Sequence, residues 1–430
     1  MKPKSFFLIA GEASGDMLAA ELVQALRSEL DDEQAEPTRD FQPLQTSLAP
    51  RFFGAGGPQM AAAGVDLAFD MTAHSVIGLS DALKNYFKFR RLFHQLFQIA
   101  RERQPNAIIC VDFAGFNRRF ASAIRKYIQS RSDWFHDWDP KIIQYVSPQV
   151  WASREGRVYQ IARDYDLLLS IFPFEKEWYA RRVPNFHVEF VGHPLVDRYA
   201  GFKRRATGQP AAAGTLSAQA PNKSGNVPMV LLLPGSRPGE LMRHLPVMIG
   251  ALKIMRASFP DLRARAVLPH DGLLAQAKSM GLPPDLELQI GRLPEALSEA
   301  DVAIASTGTV TVECAFFGVP TIALYKTTWS TYHIGKRIIK VKYLAMPNLL
   351  ANEPLFPEFI QNAATAENIA RAALDLLSGE QRRARIQTRL GEIVSSLGSP
   401  GASRRAAQAI LHLIDSRKAL TAAHRTAQAT

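Results

Sequence analysis

The sequence predicts an α/β chain made of two doubly wound parallel-sheet domains. Apolar strands alternate with helical stretches along nearly the whole chain, the βα pattern of a parallel sheet covered on both faces. The pattern occurs twice, on either side of a stretch at 201–226 rich in Ala, Gly, Ser and Pro. The length of 430 residues, 47% hydrophobic, is enough for two cores of ordinary size.

In the first half the predicted strands are Phe6–Ala10, Arg51–Gly54, Ala107–Val111, Lys141–Val146, Leu167–Phe172 and Val188–Val191. Helical patterns such as Leu18–Leu30 lie between most of them. In the second half they are Met229–Leu233, Ala264–Leu268, Glu287–Ile290, Val302–Ala305 and Thr321–Tyr325. Pro228 stands just before the first of these, where a strand tolerates proline. The expected division is an N-terminal domain at 1–200, a flexible insertion at 201–226 and a second domain at 227–395. A helix at about 400–416 is expected to pack back on the first domain, with 417–430 a loose tail. Asp31–Pro50 and Ser130–Pro140 read as surface insertions.

The net charge of +11 points to an anionic partner. Zinc-finger spacing, an aromatic RNA-binding motif and a helix-turn-helix signature are all missing, so nucleic acid is not expected and an anionic membrane surface is. No run of 18 apolar residues could span a bilayer, and no signal peptide is expected ahead of the first strand. Cys110 and Cys314 read as core residues of a reduced, cytosolic protein. The ten histidines lack zinc-ligand spacing. The pairs Asp137/Asp139 and Asp164/Asp166 read as solvated acids, so neither metal nor cofactor is expected.

Parallel sheets bind ligands beyond the carboxyl ends of their strands. The first such end is Gly11-Glu12-Ala13-Ser14-Gly15-Asp16, which matches neither the dinucleotide fingerprint nor a Walker A loop. A ligand loop and a tight turn with an Asp cap fit it equally well. Gly54–Pro58 reads as a turn before a helix, its glycines open to close approach. Asp112 closes an apolar strand, where a desolvated carboxylate suits a general base; bonding to the next loop is the alternative. Tyr145–Trp151, with Arg154 and Arg157 beyond, reads as a loop pinned by a buried Trp. His193 is a strand-end polar contact or hinge.

In the second half, Leu233-Pro234-Gly235-Ser236-Arg237 offers a turn and a cation suited to a diphosphate. Ser306-Thr307-Gly308-Thr309 feeds a helix carrying Glu313. Backbone N–H groups at such a helix start cradle an anion, and a carboxylate one turn in can bind sugar hydroxyls. Diphosphate plus ribose is the natural guest. Val76–Ala100 places Leu79, Leu83, Phe87, Phe89 and Phe93 on one broad apolar side, with Arg90 inside that arc and Lys84, Lys88 and Arg91 opposite. A core helix with a snorkelling arginine and a helix seated in lipid headgroups both fit, and the basic charge favours the second.

Eight ordered motifs resemble the lipid-A-disaccharide synthase family: GEASGD, VDFAGFN, YVSPQVWA, FPFEKEWY, VGHPLVD, LLPGSR, STGTVTVEC and MPNLLANE. The resemblance runs from Gly11 to about Gln361. It implies a GT-B fold, two Rossmann-like domains facing across a cleft. It implies transfer of the sugar of UDP-2,3-diacylglucosamine to the 6-hydroxyl of 2,3-diacylglucosamine 1-phosphate, inverting and metal-independent. The site would be cytoplasmic, peripheral on the inner face of the inner membrane, and a homodimer is admitted. Residue by residue, Asp112 is the candidate base, and Arg237, Gly308, Thr309, Glu313 and Asn348 the UDP contacts. Gly11, Ser14, Gly15 and Asp16 would face the reacting sugars. The chain departs from the family pattern at Gly115, Ser153 and Thr307, which bears on acyl-chain or acceptor preference and leaves the base intact. Two alternatives stay open, a soluble enzyme like UDP-N-acetylglucosamine 2-epimerase and a non-catalytic nucleotide-sugar-binding protein.

Overall fold

The computed structural model describes residues 3–35, 49–75, 86–131, 138–202 and 227–427. The chain divides into two compact units, Met1–Pro194 with Gly398–Thr430, and Leu195–Leu397. Asp137, Leu79, Leu83, most of the insertions read from the sequence and the end of the tail lie outside the described residues.

Unit 1 holds seven parallel strands: β1 Ser5–Ala10, β2 Arg51–Gly56, β3 Asp66–Asp70, β4 Ala107–Val111, β5 Lys141–Tyr145, β6 Leu167–Ser170 and β7 Val188–Phe190. Their order is β3-β2-β1-β4-β5-β6-β7, so winding reverses between β1 and β4. The helices are α1 Ala13–Ala35, α2 Pro58–Ala62, α3 Thr72–Ser75, α4 Tyr86–Arg103, α5 Ala114–Ser130, α6 Val150–Ser153, α7 Arg157–Asp164, α8 Pro173–Ala180 and α9 Pro194–Arg198, the last crossing into unit 2. β4 is buried at every position because helices cover both faces of a parallel sheet.

Unit 2 repeats the winding with β8 Met229–Leu233, β9 Arg263–Leu268, β10 Glu287–Ile290, β11 Val302–Ser306, β12 Thr321–Tyr325 and β13 Glu358–Ile360, in the order β10-β9-β8-β11-β12-β13. Its helices are α10 Pro238–Ser258, α11 Asp271–Lys278, α12 Leu293–Glu299, α13 Thr309–Phe316, α14 Trp329–Ile338, α15 Met346–Ala351, α16 Ala366–Ser378 and α17 Glu380–Ser396. The final helix, α18 Ala402–Ala427, lies along α1 in unit 1. Lys4 pairs with Asp415 at 2.9 Å, and Arg404 and Gln408 bond Glu29.

Two strands escaped the sequence reading, both at sheet edges. β3 alternates exposed and half-buried positions, and β13 has three residues, so neither presents an apolar run. Asp164 and Asp166 are not solvated acids. Asp164 is buried and held by Arg163, and Asp166 pairs with Arg125 while accepting from the Ile142 N–H at 2.7 Å.

The helix singled out for the membrane is largely a core helix. Leu92, Leu96 and Ala100 of α4 are buried, and Phe93 packs edge-on to Phe116 and Phe120. Phe89 also leans on this core. Arg90 points outward and is exposed, so it does not snorkel from an apolar face. Phe87 alone of the described aromatics on that helix is exposed, at 76%. Both cysteines are buried thiols, pushed up to about 12 by burial.

Candidate active site

In each unit the loops of interest leave the two strands that flank the reversal of winding. That is where doubly wound sheets open a crevice for ligands. In unit 1 these are the loops after β1 and β4, and in unit 2 those after β8 and β11.

After β4 the chain turns sharply. Asp112 and Phe113 both have left-handed backbones, with φ of 47° and 46°. Such conformations cost non-glycine residues roughly 1–2 kcal/mol each, so something must hold them. Three bonds do. The Asp112 N–H donates to the Tyr145 carbonyl at 2.9 Å. Buried Asn117 donates through Nδ2 to the Asp112 carbonyl at 2.8 Å, and Gln144 through Nε2 to the same oxygen at 3.3 Å. Neither Asn117 nor Gln144 was singled out from the sequence. The signal was there: a Gln inside an apolar strand and an Asn one turn into the helix after Asp112 are polar groups that need partners.

The Asp112 carboxyl is raised above its ordinary value, first by burial and then by the charge of Glu12, against a bond from the Phe113 N–H that lowers it. Glu12 belongs to the loop after β1. Gly15 neighbours Asp112, since an added Cβ would stand in ordinary contact with the Asp112 Cβ, 3.6 Å away. Gly11 is fixed by the Phe113 ring, because a Cβ there would sit 2.3 Å from ring carbons. The structure therefore brings Gly11, Gly15 and Asp112 together, with Ser14 exposed on the first turn of α1.

Asp16 serves otherwise. It is buried and its carboxylate accepts from the N–H groups of Gly57, Gln59 and Met60 at 2.7, 2.9 and 3.1 Å. It caps α2 and ties the β1 loop to the β2 loop. Trp151 is buried and donates to Glu175 at 2.9 Å, which joins the loop after β5 to α8. Burial pushes the Glu175 carboxyl up to about 7. His193 is buried against the Phe172 ring at 5.4 Å.

In unit 2, β11 ends at Ser306 and Gly308 takes a φ of 138°, which side-chain-bearing residues rarely adopt. Space beside Gly308 is open, and Thr309 begins α13 with its amides unpaid by any side-chain cap. One turn in, the Glu313 carboxylate accepts from the Tyr199 hydroxyl at 2.6 Å, and burial raises its pKa. Arg237 stands at the start of α10, its side chain 65% exposed and 3.9 Å from Glu240.

A further residue, missed in the sequence, holds these loops. Buried His244 donates from Nδ1 to the Pro234 carbonyl at 2.8 Å and accepts at Nε2 from the Lys326 N–H at 3.0 Å. That pairing fixes a neutral tautomer, in keeping with a pKa lowered by burial. It couples the loop after β8 to the loop after β12. Asn348, read as a UDP contact, is fully buried and committed. Its amide bonds both the N–H and the carbonyl of Phe356 at 2.7 Å and the Glu358 carboxylate at 2.8 Å. It shapes the α15–β13 loop with a fully buried side chain. Among the described residues no group of three His, Cys, Asp or Glu side chains gathers as a metal site.

The family model described as lipid-A-disaccharide synthetase matches residues 6–413. A lipid-A-disaccharide synthase of Alkalilimnicola ehrlichii is 34% identical over 409 residues, covering 94% of this chain and 97% of that protein. Among solved structures, a UDP-N-acetylglucosamine 2-epimerase from Listeria monocytogenes superposes with a TM-score of 0.57 at 14% identity, covering 97% of this chain and 98% of that one. The glycosyltransferase of kitacinnamycin gives 0.56 at 17% identity, covering 96% and 99%.

Proposed function

The chain belongs to the lipid-A-disaccharide synthase family, and from that premise we propose how its residues carry the reaction. The family's activity is a glycosyl transfer that joins UDP-2,3-diacylglucosamine to 2,3-diacylglucosamine 1-phosphate. Likeness to the epimerase is one of fold alone, at 14% identity. The two parallel-sheet units are the GT-B plan shared with glycosyltransferases.

Asp112 takes the proton of the acceptor 6-hydroxyl as that oxygen attacks the anomeric carbon. The new C–O bond forms as the bond to UDP breaks, and the electron pair leaves with the diphosphate. The supporting observation is the clamped backbone of Asp112, whose partly desolvated carboxyl lies within reach of the charge of Glu12. A raised pKa makes it a stronger base than a solvated aspartate. Gly11, Ser14 and Gly15 form the floor on which the sugars lie.

Unit 2 receives the leaving group. Arg237 and the amides at Gly308 and Thr309 offset its charge, and Glu313 binds the ribose hydroxyls with its free lone pairs while Tyr199 orients it. Asp16 and Asn348 hold the loops and touch no substrate.

Peripheral attachment to an anionic membrane is supported by two basic, aromatic surfaces. Phe87 is exposed on α4 beside exposed Lys88, Arg90 and Arg91. In unit 2, Trp329 is 75% exposed, with Lys336, Arg337, Lys340 and Lys342 exposed after it and no acidic residue between Glu313 and Glu353. Among the described residues no helix is long and apolar enough to cross a membrane. The test of the reaction is incubation with both diacyl sugars and mass analysis. A tetraacyl disaccharide phosphate with equimolar UDP is expected; UDP release that does not depend on acceptor would overturn the assignment.

A further inference from the structure

Four arginines gather in unit 1 where α5 packs on α7. Arg118 of α5 donates to Gln160 of α7, three residues beyond Arg157 on the same helix. Arg154 follows α6, and the Arg157 N–H bonds its carbonyl at 3.0 Å, so the two lie one turn apart. Arg119 adjoins Arg118 and is exposed, as is Arg154. Arg157 holds its proton less tightly than an ordinary arginine, through partial burial and the like charges of Arg118, Arg154 and Arg119.

The acids near this cluster are engaged elsewhere. Glu155 pairs with Arg182 at 3.3 Å and Asp164 with Arg163 at 2.8 Å. Among the described residues no carboxylate pairs with Arg119, Arg154 or Arg157. Like charges held together without counter-charge oppose folding, so the cluster calls for an anion. Its place in the fold says which. α5 begins two residues after Asp112, and α6 follows β5, the strand beside β4. Both arms of the cluster therefore leave the carboxyl edge next to the proposed base.

We infer that Arg118, Arg119, Arg154 and Arg157 form the subsite for the phosphate monoester of the acceptor sugar, holding it while its 6-hydroxyl meets Asp112. Arginine suits this task, since its planar fork bonds two phosphate oxygens at once. The inference rests on the transferase reading above and adds the origin of acceptor choice to it.

The test compares kcat/KM of the full chain for diacylglucosamine 1-phosphate and for the same diacylglucosamine without phosphate. Each charge-assisted phosphate contact is worth about tenfold. The wild type should therefore favour the phosphorylated acceptor by about 100-fold or more. Arg154→Gln with Arg157→Gln should lower that ratio by about 100-fold, with KM for the UDP-sugar unmoved. Arg157→Lys alone should keep part of it. An unchanged ratio in the double variant overturns the inference, as does a wild type indifferent to the phosphate. Equal losses on both acceptors would mean a structural role and also overturn it. So would an intact ratio with lost binding to phosphatidylglycerol vesicles, which would assign the arginines to lipid headgroups. Formation of no disaccharide from either acceptor by the wild type would instead sink the transferase reading.

Discussion

Asn117→Ala removes the main restraint on the loop that carries Asp112 while leaving the carboxyl itself in the chain. The side chain is fully buried and gives the Asp112 carbonyl its shortest bond, 2.8 Å, with a longer one of 3.3 Å to the Val111 carbonyl. Against it stand two left-handed residues, Asp112 and Phe113, whose strain totals roughly 2–4 kcal/mol. Loss of a bond of this kind, with a buried carbonyl left short of donors, costs about 1–3 kcal/mol. Gln144 still reaches the Asp112 carbonyl at 3.3 Å, so the middle of that range, about 2 kcal/mol, is expected. For a unit of this size that lowers Tm by about 4–8 °C in calorimetry. Relaxation of the loop should also move the base, and a displacement near 1 Å costs about 100-fold in rate. Steady-state assays should show kcat down by tenfold to about 100-fold, with KM for the UDP-sugar unaltered. A lowered Tm with full kcat would refute the claim that this clamp positions the base.

Other variants probe the remaining groups. Glu12→Gln removes a charge that raises the Asp112 pKa, so the acid limb of the kcat/KM profile should move to lower pH; a limb that stays put or moves up excludes the pairing. Tyr199→Phe deletes the 2.6 Å bond to Glu313 and should weaken UDP binding by about threefold to tenfold in titration calorimetry, whereas unchanged affinity separates Glu313 from the ribose. His244 is held neutral below its ordinary 6.5, so the unfolded chain takes up a proton first as the medium acidifies. Its contribution is present above pH 6.5 and is lost as pH falls toward the lower folded value. Urea unfolding should show that loss in the wild type and a flatter profile in His244→Leu, which is weaker at neutral pH by about 1–3 kcal/mol for the unpaired Pro234 carbonyl and Lys326 amide.

The strands at the sheet centres could be read from the chain because burial on both faces leaves them uninterrupted apolar runs, as in Ala107–Val111 and Met229–Leu233. Edge strands β3 and β13 lack that pressure and left no run to read. The α4 segment carries apolar side chains over about half its circumference, and periodicity does not say which part of so broad an arc turns inward. The core takes Leu92, Leu96 and Ala100 and sends Arg90 out. Polar residues inside ligand loops posed the harder problem. Asp16 bonds amides more than forty residues away, and Asn348 closes a loop by pairing with Phe356. Local sequence shows the polar side chain and hides its partner. For the same reason His244, whose partners come from two separate loops, gave no sign of its task. Asp112 stood out by its place after an apolar strand, but its left-handed backbone and the clamp around it are tertiary facts.

In the proposed mechanism proton removal belongs to unit 1 and nucleotide binding to unit 2. Asp112→Asn tests that division most directly, because it exchanges one oxygen for nitrogen and leaves the backbone bonds from Asn117 and Gln144 in place. Turnover to disaccharide and the UDP dissociation constant should be measured on the same preparation. Turnover is expected to fall by about 10²–10⁴ with the UDP constant unmoved. Turnover within about tenfold of the wild type would contradict the assignment of the base.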